Sequence, residues 1–286
     1  MKEIFCVRFF QINKMAVRFF LPPFLIEVNM LIKITDKCNM NCTHCLDDAK
    51  PDNGHFMSYE DFMNSVSFFN KYGEGVFIIS GGEPMEHPYF WTFLEYALDF
   101  VRTSLNVGCV VVTTNGMYMT NDIVYNKIKE YEDKYGFKFI FQVTSVEKYY
   151  PIKIDLTHKV FSLRSVCVCK EIESMYPMGR ALDNNIQCPP HKCSKCFNIR
   201  SAVRSFKNLK LACQCLAFKA KFCAPAICYN GDIRLGESRL CPVASNIYKS
   251  HEEIVSDISN FTCKNPICRE INKILPINAL EAIGEI

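Results

Sequence analysis

From Met30 to Thr144, β-branched apolar runs alternate with segments of helical pattern, and this alternation restricts the fold more than any other feature of the chain. Leu31–Thr35 reads as a first strand. Ser58-Tyr-Glu-Asp opens a helix, with Ser58 as N-cap and Asp61 three residues on as a loose capping box. That helix runs to about Tyr72, and Gly73 stops it. Val76–Ser80 is a second strand, 88–103 a helix, Val107–Thr113 a third strand, 121–134 a helix with Gly136 beyond, and Lys138–Thr144 a fourth strand. A fifth strand is expected at Lys159–Leu163. Strand alternating with helix predicts an α/β fold whose parallel strands are joined by right-handed crossovers. Such strands place their functional loops beyond their C-terminal ends.

Chemistry-bearing residues sit at those ends. Cys38, Cys42 and Cys45 form a C-x3-C-x2-C triplet in LIKITDKCNMNCTHC, just after the first strand. Three thiolates this close can converge on one metal centre. A cubane of four irons and four sulfides needs four ligands, so three protein thiolates leave one iron open to a small molecule. The spacing alone also admits half a zinc site or a disulfide fragment. The second strand ends in Gly81, Gly82, Glu83 and Pro84, within GVFIISGGEP. Paired glycines at a strand end let the backbone approach a ligand closely, and the carboxylate beside them offers an acceptor for an amino group. Thr114-Asn115-Gly116 ends the third strand. Gln142, Thr144 and Ser145 end the fourth.

The triplet, followed about 40 residues later by Gly-Gly-Glu with one helix between, resembles the radical S-adenosylmethionine (SAM) superfamily. His44, just before the last cysteine, adds to the likeness, which covers roughly residues 30–165. The resemblance implies a partial (β/α)6 TIM-type barrel, open on one side for a large substrate. It implies Cys38, Cys42 and Cys45 as ligands of a 4Fe-4S cluster whose open iron binds the amino and carboxylate groups of SAM. An electron from the reduced cluster then yields methionine and a 5′-deoxyadenosyl radical, which takes a hydrogen atom from the substrate. By the same resemblance Gly81, Gly82 and Glu83 hold the methionine end of SAM. Thr114 and Asn115 line its pocket, and Gln142, Thr144 and Ser145 lie near the ribose. Those last five also suit ordinary strand-end and turn polarity. His44 shields the cluster or bonds a sulfide. A flavodoxin or ferredoxin is the expected electron donor.

The 17 cysteines are unevenly spread, with five before residue 110 and twelve from Cys167 onward. This divides the chain into an N-terminal extension (1–28), a radical SAM core barrel (29–165) and a cysteine-rich C-terminal module (166–286). The extension is an extra strand pair or sequence upstream of a start at Met15 or Met30. The tail resembles the SPASM and Twitch auxiliary-cluster modules. Cys223, Gly236 and Cys241 fit C-x12-G-x4-C, with a hairpin turn at Asn230-Gly231 between them. A helix at about 249–259 and then Cys263-x4-Cys268 follow. The C-x2-C-x5-C-x3-C run of a full SPASM module is missing, so the shorter Twitch form with one auxiliary 4Fe-4S cluster fits better. Its expected ligands are Cys223, Cys241, Cys263 and Cys268, with Cys228 competing for any of these places. The module serves either structure or electron transfer.

A second group, Cys188, Cys193, Cys196, Cys213 and Cys215, comes close to zinc-ribbon spacing. Zinc, a second auxiliary cluster and shared ligation with the tail all remain open for it. Cys167 and Cys169 read as core residues or spare thiols, and Cys6 and Cys109 as small buried apolar residues.

Apolar residues make up 49% of the chain, enough for a large core, and the net charge of +3 does not itself imply nucleic acid. Residues 16–26 are apolar but carry Arg18 and a Pro-Pro pair, which fits no export signal, and no run of 18 apolar residues predicts a membrane span. An odd cysteine count fits poorly with complete disulfide pairing. Reduced thiols holding metal in the cytoplasm is the expectation. Residues 188–223 hold eight Lys or Arg and no Asp or Glu. Compensation of anionic clusters explains that better than a surface for acidic peptide or RNA, because aromatics are sparse there. Gly179-Arg180-Ala181 resembles a turn that links barrel to auxiliary module in peptide-modifying members of the superfamily. The reading is a radical SAM enzyme acting on a peptide or protein side chain. Modification of an RNA nucleoside is the enzymatic alternative. A zinc- or iron–sulfur-binding interaction protein is the non-enzymatic one, and it leaves Gly-Gly-Glu unexplained.

Overall fold

Apolar side chains recur at helical spacing on three segments and at every second position on the strands between them, and the two patterns meet in one core. The computed structural model describes residues 30–72, 75–105, 107–169, 179–186, 226–234 and 241–260. Strands β1 (Met30–Lys33), β2 (Gly75–Ser80), β3 (Val107–Thr114), β4 (Phe139–Thr144), β5 (Val166–Cys169), β6 (Ala226–Ile227), β7 (Asp232–Arg234) and β8 (Val243–Asn246) form one sheet. Its order is β5-β4-β3-β2-β1-β6-β7-β8. The first six of these neighbours are parallel, and β7 and β8 add antiparallel. The helices are α1 (Tyr59–Tyr72), α2 (Phe90–Thr103), α3 (Asp122–Tyr135), α4 (Arg180–Asp183) and α5 (His251–Asn260).

One face of the sheet carries Ile32, Phe77, Ile79, Val110, Val112, Phe139, Phe141 and Val143, all buried in a core shared with α1 to α3. Phe62 of α1 stacks on Phe93 of α2 with centroids 4.2 Å apart, and Phe77 meets Phe62 edge-on. Ser58 caps α1 as its sequence predicts: the Asp61 N–H donates to Ser58 Oγ at 3.0 Å. The opposite face is more polar and only partly buried at Ser80, Thr113, Gln142, Thr144 and Cys169. Lys33 pairs in register with Ser80, and Thr113 with Gln142, which pairs with Cys167. This row runs across the sheet near the C-terminal ends of the strands.

The mixed α/β fold with a parallel-sheet core therefore stands, with two corrections. The fifth strand lies at Val166–Cys169, not at Lys159–Leu163. Lys159–Ser162 is a 3-10 turn, because His158 Nδ1 accepts from the Val160 N–H at 3.3 Å and only Val160 is fully buried. The Phe141 N–H donates to Ser165 O at 2.7 Å, which draws the next segment onto β4 instead. The second correction concerns the tail. The division at 165/166 falls just before β5, and β6, far beyond it, pairs with β1 at Leu31↔Ala226 and Ile32↔Ile227. Core and tail share one sheet. The hairpin about Asn230-Gly231 forms as expected between β6 and β7, and the helix expected at 249–259 is α5. The extension 1–28 lies outside the described residues. So do Cys188, Cys193, Cys196, Cys213, Cys215, Cys223, Cys263 and Cys268.

Candidate active site

The loop after β1 carries the cysteine triplet, and its thiols lie in a small apolar enclosure. Cys38, Cys42 and Cys45 are free, the first two buried and the third partly so. Met40, Ala49 and Ile154 pack with them, and Tyr150, Leu156 and Phe161 close the enclosure. The Met40 N–H donates to Cys38 Sγ at 3.4 Å, and the Cys45 N–H to Cys42 O at 3.2 Å. Burial pushes the Cys38 thiol up to about 11 and the Cys42 thiol up to about 12, and repulsion between the thiolates adds to both. A cation among these three soft sulfur donors stabilises them as thiolates. Asn39 Nδ2 and His44 Nδ1 are buried beside them without a hydrogen-bond partner. The donor set, the apolar jacket and these two unsatisfied atoms fit a thiolate-held iron–sulfur cluster. Among the described residues no set of three or more His, Cys, Asp or Glu closes on a single metal ion.

The Gly-Gly-Glu segment adjoins this loop through its backbone. The Gly82 N–H donates to Thr35 O and the Glu83 N–H to Lys37 O, each at 2.8 Å. A Cβ on Gly81 would lie 2.4 Å from Thr35 O, and one on Gly82 2.2 Å from Lys37 O. The close approach that these glycines permit is to the cysteine loop itself. Glu83 is fully buried, and donors within the protein occupy both its oxygens. Oε1 accepts from Thr114 Oγ1 at 2.8 Å and from the Met85 N–H at 3.2 Å, and Oε2 from the Asn115 N–H at 2.8 Å. Burial raises its carboxyl to about 7 against the pull of those donors.

Asn115 completes the link, its Nδ2 donating to Asn39 Oδ1 at 2.7 Å and lying 3.7 Å from Cys38 Sγ. The triplet, Glu83, Thr114 and Asn115 thus form one hydrogen-bonded unit across the ends of β1, β2 and β3. From the end of β4, Thr144 Oγ1 donates to Thr114 O at 3.4 Å and accepts from Tyr150 Oη at 2.7 Å. Ser145 is buried, its N–H on Cys169 O at 2.9 Å. Gln142 lies on the polar sheet face, its Nε2 3.9 Å from Cys169 Sγ. His44 packs against Tyr149 and Tyr150, with ring centroids 5.1 and 5.5 Å away, and burial lowers its pKa, which favours the neutral ring.

Of the expected auxiliary ligands, Cys228 and Cys241 are described, and both are buried. Arg234 Nη1 donates to Cys241 O at 2.6 Å, and the same guanidinium bonds the Cys228 thiol. Burial raises the Cys228 pKa, opposed by the charges of Lys33 and Arg234. Cys109 is buried, as expected. Cys167 and Cys169 are partly buried on β5, and Cys167 is disulfide-bonded. Tyr150, Asp48 and Arg180 are contacts that the sequence reading missed. Arg180 had a signal, Gly-Arg-Ala, but it was read as a link between parts of the chain.

The family model of the radical SAM superfamily matches residues 32–140, the stretch from β1 into β4. These residues carry the pattern of a radical SAM domain. Over 99 residues the chain is 34% identical to a GTP 3′,8-cyclase of Actinobacillus pleuropneumoniae, covering 34% of this chain and 28% of that protein. A GTP 3′,8-cyclase of Haemophilus influenzae is 26% identical over 129 residues, 41% of this chain and 36% of its own length. The chain thus spans about a third or less of the curated relatives it matches. In fold, it resembles BtrN in complex with AdoMet and 2-DOIA (TM-score 0.52, 14% identity, 88% of this chain and 87% of that one). It also resembles anSMEcpe with bound AdoMet and the Kp18Cys peptide (TM-score 0.50, 13% identity, 87% and 84%). No helix among the described residues is long and apolar enough to cross a membrane.

Proposed function

We propose that the protein is a radical SAM enzyme that modifies a peptide or protein side chain. Cys38, Cys42 and Cys45 are the ligands of its 4Fe-4S cluster. The observation that carries this is the joining of three free, enclosed thiols to Gly-Gly-Glu and Thr-Asn at the strand ends. When bound, the cluster and SAM supply one-electron reduction and hydrogen-atom abstraction. The chain's residues position and protect them. Met40, Ile154 and Tyr150 keep water from the thiols. Glu83 fixes the ends of β2 and β3 relative to the cysteine loop, so its contribution to holding SAM is to orient that pocket. Gln142, Thr144 and Ser145 lie at the end of β4, where the ribose is expected. The polar row on the opposite sheet face receives substrate.

A peptide substrate is supported by the resemblance of the tail to auxiliary-cluster modules and by the Gly-Arg-Ala turn. In such modules Cys223, Cys241, Cys263 and Cys268 would hold an auxiliary cluster, with Cys228 competing. A nucleotide substrate is the second reading, favoured by the curated relatives' name. The test is anaerobic reconstitution followed by incubation with SAM and dithionite. The expected result is 5′-deoxyadenosine that disappears in the Cys38→Ala/Cys42→Ala/Cys45→Ala variant. Stimulation by small peptides encoded nearby, and not by GTP, separates the two substrates. Iron bound at the triplet with no 5′-deoxyadenosine formed would overturn the catalytic reading.

A further inference from the structure

Residues 179–184 return to the cysteine loop from beyond β5 and bind it at five points. Arg180 donates from Nε to Cys42 O at 2.7 Å, from Nη1 to Asp48 Oδ1 at 3.0 Å and from Nη2 to Ala49 O at 2.8 Å. The Arg180 N–H donates to Cys45 O at 3.0 Å, and Asn184 Nδ2 to Thr43 O at 2.8 Å. The planar guanidinium satisfies three acceptors at fixed angles, which a lysine ammonium on its flexible stem does not reproduce. Gly179 makes the approach possible. Its φ is +57°, and a Cβ there would lie 2.5 Å from Cys45 O and 2.6 Å from Leu46 O.

The ion pair is sheltered, with the Arg180 side chain 12% exposed and that of Asp48 22%. Charges so placed are less screened by salt than surface ones. Asp48 has φ +54°, a conformation that Asn also tolerates.

We propose that the Arg180–Asp48 pair is a positioning device for the cluster loop: it fixes the Cys42–Cys45 turn and balances charge beside the metal group those thiols hold. The inference rests on the radical SAM reading. It makes a prediction of sign that a purely structural contact does not. Arg180→Gln removes a positive charge beside the cluster loop and disfavours adding an electron nearby. Asp48→Asn leaves the guanidinium unpaired and favours it, while keeping an acceptor oxygen.

The test is a redox titration of the reconstituted full-length protein, followed by the paramagnetic signal that SAM perturbs. The midpoint is expected to fall in Arg180→Gln and to rise in Asp48→Asn. Arg180→Lys is expected to stay near the wild-type potential but to lose iron to a chelator several-fold faster. Shifts of the same sign in the first two variants, or no shift in either, overturn the inference while the wild-type cluster keeps the radical SAM reading intact. Should Arg180→Gln take up no cluster, an unmoved Asp48→Asn midpoint together with wild-type iron loss in Arg180→Lys overturns it. A wild-type chain that binds no iron overturns the reading of the site and this inference with it.

Discussion

At the scale of single residues, Glu83 is the group whose environment departs furthest from what its sequence position suggests. A carboxylate beside two glycines reads as a ligand for an amino group. In the fold it is fully buried and spans the ends of two strands, with donors on both oxygens. The price is ionisation in a desolvated place, which raises its pKa from 4.5 to about 7. Between those values the folded state binds the extra proton, so stability falls as pH rises through the window and levels off above about 7. The full difference is about 3 kcal/mol. Denaturant unfolding of the metal-free protein at points between pH 4.5 and 8 should show this decline, and Glu83→Gln should flatten it. Parallel profiles for the two proteins would mean that the carboxyl is not held as a neutral acid.

At the scale of elements, the motifs work by docking one loop against another. Gly82 brings the end of β2 against residues 35–37, and Gly179 brings α4 against residues 45–46. Gly82→Ala places a Cβ on a carbonyl oxygen and forces the two backbones apart, at a cost of about 1–3 kcal/mol. Lower iron retention after reconstitution should accompany a modest loss of stability. Wild-type retention with a Cβ at that position would show that the docking does not shape the cysteine loop. Much of this level was legible. The Ser58 cap, the order of strands and helices up to β4, and the hairpin at Asn230-Gly231 all follow from local pattern. The run at 159–163 misled because β-branched and aromatic residues suit either a strand or a turn with one buried anchor. His158 and the pull of Ser165 on Phe141 decide between them.

At the scale of the whole molecule, the cysteine-rich tail is joined to the sheet that carries the radical SAM domain. Ile227 is fully buried in the same core as Ile32 and pairs with it across β6 and β1. Tyr248 and Asn64, separated by 184 positions, hydrogen-bond at 3.5 Å and add a second join beside α1. Ile227→Ala should therefore cost about 2–5 kcal/mol and shift a single unfolding transition followed by fluorescence of Trp91, which lies in α2. A tail that folds independently would instead leave that transition where it is. The composition break near residue 165 suggested two units because cysteine density is a property of sequence, whereas β6 pairs with β1 between residues far apart in the chain.

The sequence by itself determined the α/β alternation, the cysteine triplet and the strand-end motifs, because helical and strand periodicity and ligand spacing are local properties. The tertiary structure decided which of those residues face one another. It turned Glu83 inward, set Arg180 and Asp48 against the cysteine loop, and placed β6 beside β1. Each of these depends on contacts between residues far apart in the chain, where long-range packing and the desolvation of charge, not local preference, set the outcome.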